Sequence, residues 1–170
     1  KLMRIFIVGP MASGKSTLGQ KLAQKLQIDF LDTDKEIEKK AGADISWIFE
    51  VEGEEGFRKR EKKVLQESTE KDNLVVSTGG GIVTLEENRR LMSSKGKIVY
   101  LEASIQLQLE RTEKDKSRPL LSNGDKEETL KALKKERDPL YQEISHITIN
   151  QNKKTHNHII EEIVKKLSTK

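Results

Sequence analysis

The sequence contains no cysteine. Disulfides, thiolate metal sites and cysteine nucleophiles are therefore excluded, and a reducing compartment is the consistent setting. Aromatic residues make up only 4%, and no basic stripe interleaves with them, so no nucleic-acid partner is expected. No apolar run approaches the about 20 residues that cross a bilayer, so no membrane partner is expected either. The first apolar stretch runs straight into a glycine loop, so no signal peptide is expected and a cytoplasmic location is. Neither sign of charge dominates: 32 basic residues stand among 28 acidic ones, intermixed as in segments 36–40 and 52–63, which reads as solvated helix faces. The hydrophobic residues cluster into runs rather than thinning out, which argues against disorder. A chain of 170 residues suits one domain with a sizeable core, here residues 1–170.

Gly9-Pro10-Met11-Ala12-Ser13-Gly14-Lys15-Ser16 fits G-x-x-x-x-G-K-[ST], the phosphate-binding loop of nucleotide-using enzymes. The apolar run Ile5-Phe6-Ile7-Val8 before it reads as a buried strand. The segment after it, 15–26, places Leu18, Leu22, Ala23 and Leu26 on one helical face. Strand, loop and helix bring backbone N–H groups and a helix N-terminus against phosphate oxygens. Lys15 can bridge terminal phosphates, and the Ser16 hydroxyl can ligate Mg²⁺. ATP or GTP binding follows.

Further strands are expected at 28–31, 74–77, 98–101 and 144–149. Helices are expected within 34–70 (broken near Gly42), 85–94, 105–112, 127–137 and 157–167, with a polar loop over 113–126. Alternation of strand and helix gives a parallel sheet covered on both faces, with ligands beyond the carboxyl ends of its strands.

Polar residues gather at those ends. Asp32-Thr33-Asp34 follows the second strand; one carboxylate could support Mg²⁺ through water while the other takes a proton from an acceptor hydroxyl, and a helix N-cap is an equal account of either one. Gly79-Gly80-Gly81 follows the third strand and suggests close approach of a ligand to the backbone. Arg118-Pro119-Leu120-Leu121 sits in the longest polar loop, where an arginine on a closing lid could stabilise a transferring phosphoryl group. Arg137 precedes Asp138-Pro139-Leu140-Tyr141, where the proline is expected to end the helix. Arg58 and Arg137 suit a carboxylate, although spacing alone does not bring them together. Trp47, with Ile45, Ile48 and Phe49, is expected to pack under the acceptor site. His146, His156 and His158 lack metal-ligand partners and read as surface or strand-end residues, and Lys153-Lys154 as a solvated turn.

Together these motifs resemble the shikimate kinase family along essentially the whole chain. The phosphate loop through Thr17, Asp32-Thr33-Asp34, Ile48-Phe49-Glu50 with Gly53-Glu54-Glu55-Gly56-Phe57-Arg58, Ser77-Thr78-Gly79-Gly80-Gly81, Arg118-Pro119-Leu120-Leu121 and Arg137-Asp138-Pro139-Leu140-Tyr141 occur in the family's order. The resemblance implies a P-loop kinase fold, three layers α/β/α around a five-stranded parallel sheet. A helical acceptor-binding segment would cover about 33–61, and a mobile lid about 112–125. It implies a cytoplasmic monomer that transfers the ATP γ-phosphoryl to the 3-hydroxyl of shikimate, in the pathway to chorismate and aromatic amino acids. ATP would be held by Ala12, Ser13, Gly14, Lys15, Ser16, Thr17, Arg111 and Arg118, with Arg111 stacked on adenine. Shikimate would be held by Asp34, Arg58, Gly79, Gly80, Gly81 and Arg137, with the two arginines on its carboxylate. Asp34 would act as base, Lys15 and Arg118 would stabilise phosphoryl charge, and Mg²⁺ would sit at Ser16 with Asp32 behind it. Two positions depart from the pattern: Ala12 replaces a usual glycine, with the added methyl expected to be tolerated, and His156 stands nearest the place of a proline against adenine's other face. The alternatives are a gluconate or nucleoside-monophosphate kinase on the same scaffold and, more remotely, a non-catalytic nucleic-acid-binding protein.

Overall fold

Alternate residues of the central strands face opposite ways, and each set finds its own helices. In the computed structural model, which describes residues 3–113 and 125–169, Ile5, Ile7, Val75, Val99 and Leu101 point to one side. There they meet Leu18, Leu22 and Ala23 of α1 (Lys15–Leu26) and Ile159, Ile160 and Ile163 of α7 (His156–Leu167). Phe6, Val8, Leu74, Val76, Ile98 and Tyr100 point to the other side. They meet Leu65 of α3 (Ile45–Ser68), Met92 of α4 (Glu86–Lys95) and Tyr141 and Ile144 of α6 (Lys126–Ile144). The result is the three-layer α/β/α arrangement.

The strands are β1 (Met3–Val8), β2 (Asp29–Asp32), β3 (Asn73–Ser77), β4 (Lys97–Leu101) and β5 (Ile147–Ile149), in spatial order β2-β3-β1-β4-β5 and all parallel. Strand β1 lies at the centre, with Ile5 in register with Val75 on one side and Lys97 on the other. The order reverses there, so the carboxyl end of β1 opens into the crevice where such sheets bind ligands.

The acceptor segment has a core of its own, in which Ile37 of α2 (Thr33–Ala41) packs with Ile48, Phe57 and Val64 of α3. Helix α3 is kinked at Gly53, whose φ of 74° lies in the left-handed region. Arg60 braces the kink with two 2.8 Å hydrogen bonds to Glu52.

Three expectations are corrected. Pro139 does not end α6, which continues to Ile144; its missing N–H and ring cost helix stability, but the turn beyond it buries Tyr141 and Ile144. Consequently β5 is shorter than expected, because residue 144 belongs to the helix. Trp47 does not pack under the acceptor site but is 46% exposed; Ile48 takes the inward position, and one residue is about 100° of helical rotation.

Among the described residues no helix is long and apolar enough to cross a membrane.

Candidate active site

The phosphate loop joins β1 to α1 and is held from outside. Gln108 of α5 (Ile105–Thr112) donates to the Met11 carbonyl at 3.0 Å, Arg111 to the Ala12 carbonyl at 2.8 Å and Gln151 to the Ser13 carbonyl at 2.9 Å. Three successive carbonyls are thus drawn to side chains, leaving the first N–H groups of α1, which have no helical acceptor, for phosphate oxygens. Gly9 has φ 153°, and a methyl there would lie 2.4 Å from the Leu101 carbonyl oxygen, so glycine is required. Ala12 has φ 63°, a left-handed conformation an alanine adopts at some cost. The Lys15 ammonium is buried and donates to the Gly9 and Pro10 carbonyls, each at 2.8 Å.

Asp32 and Asp34 divide their duties. Asp32 caps α2, one oxygen accepting the Lys35 N–H at 3.2 Å while the other accepts the Ser16 hydroxyl. The Ser16 oxygen is also 3.5 Å from Ser77 Oγ. A hydroxyl and a carboxylate side by side next to a phosphate loop are hard oxygen donors of the kind Mg²⁺ uses, since it keeps most of its water and phosphate ligands. Asp34, one residue into the helix, lines the acceptor cavity instead.

That cavity, of about 320 Å³, brings together Asp34, Arg58, Glu61, Gly79, Gly80, Gly81 and Arg137. Ile45, Phe49 and Phe57 give it an apolar wall, the two phenyl rings 4.7 Å apart. Arg58 Nη1 donates to Glu61 at 2.8 Å, and its Nη2 is 3.3 Å from Glu54. Arg58 Nε and Arg137 Nε are buried with no hydrogen-bond partner among the described residues.

Glu61 is fully buried, and burial raises its carboxyl to about 7; the Arg58 charge opposes the rise and the Asp34 charge adds to it. Sequence reading missed this residue. Its signal is helical spacing: Glu61 shares the inward face of α3 with Phe57, Arg58, Val64 and Leu65. Gln108 and Gln151 were missed as well, and nothing local marks either one.

The triple glycine also leaves room for the protein's own side chains. A methyl at Gly81 would lie 2.1 Å from Arg58 Nη2, and one at Gly79 would lie 2.8 Å from Asp34 and 2.9 Å from Glu61. The protein's own charged side chains occupy the space that absent side chains leave.

A second cleft, about 430 Å³, runs over the phosphate loop past Lys15, Ser16, Asp32 and Asp34, and shares Gly79 and Gly80 with the acceptor cavity. It leads to an outer cleft of about 610 Å³, and Arg111 and His156 line both. His156 Nδ1 lies 3.2 Å from the Lys21 ammonium, and burial, aided by Lys21 and Arg111, lowers its pKa. A neutral imidazole thus stands with a guanidinium at the outer end of the loop. His146 is exposed at the start of β5, where its Nδ1 accepts the Ile98 N–H, and residues 152–153 form a turn. Arg118 and most of the expected lid lie outside the described residues.

The geometry assembles an anion loop, a carboxylate at its mouth and two cations behind an acceptor cavity, the equipment of phosphoryl transfer to a small anionic alcohol. The family model described as "Shikimate kinase" matches residues 11–168. The chain is 50% identical to shikimate kinase 1 of Yersinia enterocolitica, over 97% of this chain and 96% of that one. It is 48% identical to the shikimate kinase of Legionella pneumophila, over 98% and 95%. The structure of shikimate kinase from Acinetobacter baumannii in complex with shikimate superposes with a TM-score of 0.95 at 47% identity, covering 98% of this chain and 93% of that one.

Proposed function

The chain belongs to the shikimate kinase family, and from that membership we propose how its residues divide the transfer of the ATP γ-phosphoryl to the 3-hydroxyl of shikimate. The observation that carries the assignment is the convergence of Asp34, Arg58 and Arg137 on one cavity that shares its glycine turn with the phosphate cleft.

Arg58 and Arg137 hold the shikimate carboxylate, and Gly79, Gly80 and Gly81 bound its ring. Asp34 takes the proton of the 3-hydroxyl as that oxygen forms its bond to the γ-phosphorus. The bond from phosphorus to the bridging oxygen breaks, and ADP leaves. Residues 12–17 hold the phosphates, Lys15 turns from its own loop carbonyls to the γ-phosphate, and Arg118 closes over it. Arg111 and His156 flank the adenine. Ser16 would hold Mg²⁺ with Asp32 behind it, and the ion would supply positive charge that offsets that of the phosphates. Residues 33–61 form the acceptor-binding segment and about 112–125 the lid of one kinase domain spanning 1–170. We further propose a cytoplasmic monomer with no nucleic-acid partner: the cysteine-free sequence fits a reducing compartment, and no basic stripe interleaves with aromatics.

The test is ADP release by purified protein with ATP and Mg²⁺, comparing shikimate, gluconate, nucleoside monophosphates and water. Shikimate-dependent release is expected, and Asp34→Asn should lower kcat by about 10²–10⁴-fold, the range for loss of a general base. Release with another acceptor and only the water background with shikimate would overturn the acceptor assignment.

A further inference from the structure

The glycine turn is strung between two helices. At one end the Gly79 N–H donates to Thr33 Oγ1 at 3.1 Å, beside Asp34. At the other the Tyr141 hydroxyl donates to the Gly80 carbonyl at 2.5 Å. The Gly79 and Gly81 carbonyls are used inside the turn, accepting from Ile82 and Thr84 N–H groups at 3.1 Å each. Tyr141 therefore supplies the tie from α6 to this turn, and it stands four residues after Arg137, on the same helix face.

The tyrosine has little freedom. It is 1% exposed. Its ring lies 5.0 Å from that of Tyr100, tilted by 34°. Tyr100 is anchored in turn by a 2.8 Å hydrogen bond to Asp138. Burial raises the Tyr141 phenol above its ordinary pKa against the opposing charge of Arg137, so the hydroxyl remains a donor throughout the working range of pH.

We propose that Tyr141 is a positioning residue, whose hydroxyl sets the glycine turn at a fixed distance from Arg137 and so sizes the acceptor cavity for a small cyclic carboxylate. The proposal rests on that cavity being the shikimate site. Without the hydroxyl the Gly80 carbonyl loses its partner, the turn relaxes, and the arginine and the turn no longer grip one ligand together.

The test is Tyr141→Phe, which keeps the ring, beside Tyr100→Phe, which removes the neighbouring hydroxyl without touching the turn. Loss of one buried hydrogen bond predicts a KM for shikimate raised about three- to tenfold in Tyr141→Phe, with kcat and the KM for ATP unchanged. Tyr100→Phe should leave the shikimate KM as it was. Amide hydrogen exchange without ligand gives a second readout: exchange at Ile82 and Thr84 should quicken in Tyr141→Phe while β1 and β4 stay protected. An unchanged KM, an equal rise in Tyr100→Phe, or faster exchange throughout the core would overturn the proposal. Should wild-type protein fail to phosphorylate shikimate, the function assignment falls, and the exchange data still decide whether Tyr141 ties the turn.

Discussion

The two ends of the sheet use arginine in opposite ways. At the amino ends of the strands, Arg4 spends every guanidinium nitrogen on backbone carbonyls. Nε donates to Lys71 at 3.0 Å, Nη1 to Lys95 at 2.7 Å, and Nη2 to Thr69 and Lys71 at 2.9 and 2.5 Å. These carbonyls belong to the ends of α3 and α4 and the approach to β3, so one side chain ties two helix exits to the central strand. At the carboxyl ends, Arg58 and Arg137 are more deeply buried, yet each keeps an Nε without a partner among the described residues. A buried polar group normally finds its hydrogen bond. Satisfaction marks the end that holds the fold together. Unmet bonding capacity lies at the end that lines the acceptor cavity.

The contrast can be broken from either side. Arg58→Ala should weaken shikimate binding by roughly 2–5 kcal/mol, the cost of losing one partner of a desolvated charge pair. Titration calorimetry checks the affinity, and an unchanged value would take Arg58 off the carboxylate. Arg4→Ala should cost about 2–3 kcal/mol of folding stability, since hydrogen bonds from a charged group are lost. Urea denaturation measures that cost; a large fall in kcat/KM of the still-folded protein would erase the distinction between the two ends.

Glu61 sharpens the comparison through pH. Its folded carboxyl lies near 7 against an ordinary 4.5, so between those values the folded protein holds the proton more tightly than the unfolded chain. Stability contributed by that proton is present below pH 4.5 and is lost as pH rises towards 7. Glu61→Gln should flatten that fall in Tm, and parallel profiles for the two proteins would show that Glu61 does not titrate in this window. The smallest effect is expected at Ala12. Ala12→Gly relieves a left-handed alanine and should gain about 0.5–1 kcal/mol after the added entropy of glycine is offset; equal or lower stability would show that the loop holds Ala12 without strain.

What was legible in the sequence was whatever depended on neighbours along the chain. Buried strands show as apolar runs, α1 shows its spacing, and Lys15 and Ser16 follow Gly14 by rule. Pro139 and Trp47 misled because local propensity yields to tertiary packing: burial of Tyr141 and Ile144 carries α6 through a proline, and Ile48 outcompetes Trp47 for the interior. The glycines at 79–81 were visible as a run but not as the seats of Asp34, Glu61 and Arg58. Glu61, Gln108 and Gln151 were invisible because their partners are distant in sequence or lie on a helix face whose inward side is defined only by the fold.

Gln151 also sets an order in time. Its partner Ser13 lies 138 residues upstream, so a loop made early in the chain is pinned by a residue made near its end. A chain leaving the ribosome has made its central strands, Asp34, Arg58 and Arg137 before the pin on Ser13 exists. One pin of the phosphate loop therefore comes from a side chain made after every residue of the acceptor cavity.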